Sequence, residues 1–137
     1  MKNSEDKILY LTIESHWLKM IWLGFKREEY REIKPYWVTR LIKGNPQGLL
    51  SAYYTDTMNF IQLFKPKHFN KIQFRAGYGK NSPIILIEFQ AISIGKGIKN
   101  FGAPKYPVFR LRLGEIIETH NIPQGWIDAK EELEKMF

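Results

Sequence analysis

A chain of 137 residues is the size of a single domain, able to bury about two-thirds of the surface that its unfolded form exposes. At 44% hydrophobic, 15% aromatic and 26% charged residues it is too apolar for a disordered segment and too charged for a membrane span, and without cysteine it has no disulfide framework, thiolate metal site or cysteine nucleophile. The net charge of +7 favours a polyanionic partner.

Met1 to Lys7 carries Glu5 and Asp6 where a signal peptide would be basic and then apolar, so an intracellular, cytoplasmic protein with no membrane partner is expected. The run Ile8-Leu9-Tyr10-Leu11-Thr12-Ile13 is rich in β-branched and aromatic residues, which predicts a first strand covered on both faces and central in its sheet. Ser15 is placed to cap a helix over His16 to Leu23, and Gly24 supplies the left-handed residue that ends one. With Trp17, Leu18, Met20, Ile21, Trp22 and Leu23 on it, that helix is expected to be nearly engulfed. Lys26 to Ile33 is dense in charge, and Pro35 ends whatever precedes it.

Tyr36 to Lys65 reads as helical, with Trp37, Leu41 and Ile42 on one face and Asp56 placed to cap Thr57 to Phe64; Gly44, Pro46 and Gly48 break the two pieces apart. Lys71 to Ala76 alternates, with Ile72, Phe74 and Ala76 on one face, as a half-buried strand does. After a turn at Gly77 to Pro83, Ile84 to Ile94 is the longest strand candidate. Val108 to Leu113 alternates again, and Gly95 to Pro107 is a loop. A last helix is expected from Asp128, where Glu131 gives a capping-box pair, with Ala129, Leu133 and Met136 turned inward. One early helix followed by short strands in Gly- and Pro-punctuated order implies a single α+β domain over residues 1–137, with a mixed or antiparallel sheet able to curl into a small β-barrel with flanking helices.

Charge is unevenly spread. Residues 1–64 carry nine basic and seven acidic side chains, residues 65–112 ten and one, and residues 113–137 two and six. The +9 middle stretch puts nucleic acid or a phosphorylated small molecule ahead of plain surface solvation as its reason. Its one acid, Glu88, stands in Ile84-Ile85-Leu86-Ile87-Glu88-Phe89, where a carboxylate must be protonated, solvated in a cleft, or paired with a cation from elsewhere in the chain. It serves either a buried pair that specifies the fold or a functional cleft.

Gly24-Phe25-Lys26-Arg27-Glu28-Glu29-Tyr30-Arg31 is the second constellation. An extended chain puts Glu29 and Arg31 on one face with Lys26 just before them, within reach of Glu88, and such a cluster suits an oxyanion, a phosphate or a nucleobase edge. A solvated charged turn is the other reading. Gly24-x-Lys26-x-x-Glu29-x-Arg31 resembles the GxKxxExR signature of ASCH domains, in a similar context from Ile8 to about Glu118, including Lys34-Pro35-Tyr36-Trp37. The resemblance implies a PUA-like β-barrel that binds RNA or nucleotides. Some members are acetylcytidine amidohydrolases using a lysine, a threonine and a glutamate. On that pattern Lys26 matches the lysine, Glu88 is the candidate glutamate, and the threonine position holds Glu29, which has no hydroxyl.

In the loop Gly95 to Pro107, Lys96, Lys99 and Lys105 interleave with Phe101 and Tyr106, a pattern suited to single-stranded RNA, and Arg75, Tyr78 and Lys80 extend the candidate surface. The same aromatics could instead fold back over the barrel. His16, His68 and His120 lack an i, i+4 partner and predict no metal site, and neither a P-loop nor a dinucleotide fingerprint implies a cofactor. Three functions follow: an RNA- or modified-nucleotide binder at a cleft of Lys26, Glu29, Arg31 and Glu88; a hydrolase of an amide or phosphodiester bond there, with Lys26, Glu29 and Glu88 catalytic; or a module for an acidic protein partner.

Overall fold

The computed structural model describes residues 6–137, so the Met1–Glu5 part of the segment read for a leader lies outside the described residues. The chain is α+β, a five-stranded mixed sheet curled into a half-barrel with five helices among the described residues. Strands β1 (Ile8–Thr12), β2 (Glu28–Arg31), β3 (Lys71–Arg75), β4 (Ile84–Gly95) and β5 (Val108–His120) lie in the order β1-β3-β4-β5-β2. β1 runs parallel to β3 and every other pairing is antiparallel.

β1 is therefore an edge strand and not central. Its apolar run satisfies one face only: Leu9 and Leu11 enter the core while Tyr10 points outward, 54% exposed. Arginines occupy the open edge, with the Arg40 guanidinium donating to the Tyr10 carbonyl and Arg31 to that of Thr12. Side chains set across an unpaired strand edge in this way prevent further strands from adding to it.

Helix α1 (Ser15–Trp22) begins at the predicted cap, one residue before the expected His16, with Glu14 at the N-cap and no side-chain cap bond. It ends at Gly24 with φ +88°. Of its residues only Leu18 and Ile21 are buried, so it is not engulfed; Trp17 and Trp22 are half-buried, and each lines a different cavity. Three helices, not two, fill the next stretch: α2 (Pro35–Leu41), α3 (Pro46–Thr55) and α4 (Thr57–Leu63). Pro46 and Gly48 do not break a helix but start one, since proline fits the first turn and the Asn45 side chain accepts from the Gly48 N–H at 2.9 Å. Asp56 caps α4 through Asn59 N–H as predicted.

Ile72 and Phe74 of β3 and Ile85 of β4 are fully buried, and with Leu18, Phe109 and Leu111 they form the centre of the core. β5 reaches His120, well past the expected Leu113, because its second half pairs with the first half of β4. Register shifts between Leu86 and Ala91 mark bulges, where a strand bends and twists, and this is where the sheet curls. The final helix, α5 (Gln124–Met136), starts four residues before Asp128 and is anchored by buried Trp126. Met136, expected inward, is 72% exposed. No helix among the described residues is long and apolar enough to cross a membrane.

Candidate nucleotide site at the sheet seam

The half-barrel brings its two edges, β1 and β2, face to face without pairing them, and side chains span the seam. After Gly24 the chain reverses, Phe25 and Lys26 donating their N–H groups to the Met20 carbonyl, and β2 then runs extended with Glu29 and Arg31 on the same face. Arg31 Nη2 donates to the Thr12 carbonyl at 2.9 Å and to Glu29 Oε2 at 2.5 Å, and its guanidinium lies 4.8 Å from the centre of the Trp37 ring.

Lys26 is more deeply placed, its side chain only 1% exposed. Its Nζ donates to the Phe101 carbonyl at 2.6 Å, stands 3.3 Å from Glu29 Oε1, and lies over the rings of Tyr30 and Trp17. Burial pushes the Lys26 ammonium below the usual lysine range; the Glu29 carboxylate opposes that shift but does not cancel it. Glu29 is thus a buried carboxylate between two cations, as its spacing from Lys26 and Arg31 suggested.

Glu29 and Arg31, with Lys26 behind them outside the lining, border a cavity of about 220 Å³ lined also by Thr12, Ile13, Glu14, Trp17, Tyr30, Phe101 and Gly102. Its outer wall is the loop after β4, tied down at two points: Lys26 holds the Phe101 carbonyl, and the Tyr30 hydroxyl accepts from the Ile98 N–H at 3.0 Å. The same hydroxyl donates to Glu28, which also binds Arg110 at 2.8 Å. Desolvation raises the Tyr30 phenol above its ordinary range. Arg31 Nε is buried and has no hydrogen-bond partner among the described residues.

Glu88 does not join this cluster. Strand alternation sets it on the face opposite Ile85 and Ile87, where it is exposed and accepts the Glu115 N–H at 2.8 Å. The apolar neighbours in sequence are not its neighbours in space, so neither the buried pair nor the shared cleft exists. The loop cations Lys96, Lys99 and Lys105 are exposed, Tyr106 is half exposed, and Phe101 turns into the cavity wall. Tyr78 and Lys80 stand on the β3–β4 turn, at the other end of β4 from that loop, and Arg75 uses its guanidinium to hold the carbonyls of Gly77 and Gly79.

Trp17, Tyr30 and Trp37 complete the site; the sequence pattern placed them on a helix or inside the motif but gave none of them a site role. Their one signal is an aromatic excess beside the motif, and apolar helical spacing conceals it. Among the described residues no three His, Asp or Glu side chains gather where they could hold a metal ion. No family model, curated protein or solved structure matches the chain.

Proposed function

We propose that the chain is a nucleotide- or RNA-binding domain of ASCH type, with a PUA-like half-barrel, and that a base enters the seam cavity. The observation that carries this reading is the Glu29 carboxylate held between Lys26 and Arg31 beside Trp17 and Phe101. A fixed carboxylate accepts from base-edge N–H groups and aromatic walls stack on a base, which is how unpaired nucleotides are recognised. The +9 stretch from residue 65 to 112 supplies a sequence-independent attraction for phosphates.

Binding is favoured over hydrolysis. Lys26 Nζ is already bonded to Phe101 and Glu29, the threonine position holds Glu29 itself, and Glu88 is absent from the cavity, so none of the three groups the hydrolase needs is in place. Titration of Trp fluorescence with nucleoside monophosphates and short single-stranded RNA tests the reading. Affinity is expected to fall steeply from low to physiological salt and about tenfold in Arg31→Lys, which keeps the charge but loses Nε and the planar fork. No RNA binding at low salt, or equal competition by poly-glutamate, overturns it in favour of an acidic protein partner. Acetate release from acetylcytidine that disappears in Lys26→Ala overturns it in favour of the hydrolase.

A further inference from the structure

A second aromatic cavity adjoins the seam. The antiparallel register that sets Arg31 opposite Phe109 carries the residues after Arg31 and those before Val108 to one place, and there Glu32, Ile33, Lys34, Tyr106 and Pro107 meet Tyr53 and Tyr54 of α3 around a groove of about 490 Å³. Tyr53 and Tyr54 are stacked at 4.8 Å with 15° between their planes, so they present a double ring rather than two loose side chains. Tyr54 is 76% exposed and Tyr106 is 51% exposed. Large apolar rings left in water around one concavity are the surface feature that most often signals a ligand.

We propose that this groove stacks a second base of the same RNA strand whose first base occupies the seam cavity, so that the full ligand is a short single-stranded oligonucleotide, of which a mononucleotide fills the seam alone. The inference rests on the nucleotide reading of the seam. Continuity supports it, since Arg31 lines one cavity and the next residue, Glu32, the other. Charge supports it as well: Lys34 is at the rim and Lys105 precedes Tyr106, both exposed. The single acid, Glu32, is 3.5 Å from Lys34 with both side chains about half exposed, a pair too well solvated to hold the lysine from a phosphate.

The Tyr54→Ala, Tyr106→Ala double variant tests this, because both rings are exposed and their loss leaves the core intact; Tyr53, which also packs on Phe60, is retained. Uridine monophosphate is expected to bind the variant as it binds the unaltered protein, while tetrauridylate loses roughly tenfold or more in affinity, the usual effect of removing a base-stacking ring. An unchanged tetrauridylate affinity overturns the groove and leaves the seam reading standing. Tetrauridylate binding that depends on the two tyrosines, with no uridine monophosphate binding to either protein, overturns the seam reading and supports the groove alone. If a decaproline peptide binds the unaltered protein and loses affinity in the variant while tetrauridylate does not, the groove belongs to a proline-rich partner and the proposal fails.

Discussion

Lys26 is the residue on which most of the site turns, and its environment sets a sign that can be measured. Because burial lowers its pKa in the folded state, the unfolded chain holds that proton more tightly between the lowered value and the ordinary 10.5. Stability therefore gains from this group as pH rises through that window, and the penalty is fully present below it. Tyr30, raised above its ordinary 10.0, acts in the opposite direction only above that pH. Lys26→Met is expected to cost about 2–4 kcal/mol at pH 8, less than a fully orphaned charge because Glu29 keeps Arg31. The gap to the unaltered protein should widen by pH 10 in urea denaturation. Glu88→Gln, by contrast, should shift stability by no more than about 0.5 kcal/mol and leave nucleotide binding unchanged, since an exposed amide oxygen can still accept from Glu115. A calorimetric scan and a binding titration decide that.

Among the elements, the loop after β4 and helix α5 show how much a local rule can reveal. Gly97 abuts the Tyr30 ring, and a Cβ there would lie 2.3 Å from Cε1. Gly97→Ala is expected to displace the loop or the ring, costing about 1–3 kcal/mol and weakening nucleotide binding together, as a thermal melt and a titration on one sample would show. Trp126→Ala should cost about 3–5 kcal/mol, because that buried side chain is what docks α5; the backbone carbonyl of Trp126, which accepts from the Trp22 indole at 2.9 Å, is kept in the variant. The sequence made β3, the Asp56 cap, the Gly24 stop and the Lys26-Glu29-Arg31 cluster legible, all of them set by spacing within a few residues. Position in the sheet was not legible: an apolar β1 reads as central, yet pairing with β3 alone leaves it at the edge. The long β5 was hidden by Gly114, Glu115 and Glu118, whose place is understood only opposite the bulged half of β4. Glu88 misled for the same reason, since an apolar run with one acid does not reveal which face the acid takes.

For the whole molecule, the charge asymmetry and the open seam belong together. A closed barrel would leave no cavity between β1 and β2; this sheet stops short and lets Arg31 bridge the gap, so the proposed ligand site coincides with the fold's unfinished edge. The acidic residues after Leu113 lie on the second half of β5 and on α5, leaving the β2–β5 end of the sheet with the loop lysines. A charge-swapped variant of Lys96, Lys99 and Lys105 to glutamate should flatten the salt dependence of RNA binding by about three counterions while preserving the fold, a change visible in the slope of log affinity against log salt.

The parallel partnership of β1 with β3 also orders events in time. Ile8 must find Lys71 across 63 intervening steps of chain, whereas β3, β4 and β5 join successive neighbours. The meander can assemble early, and β1 is expected to be among the last strands seated. The Arg31 bridge to Thr12 needs β1 in place, so it is expected to form on the late side of the folding barrier. A nucleotide bound there would grip the native state and not the transition state. In stopped-flow experiments it should slow unfolding in proportion to its occupancy while leaving the refolding rate where it was.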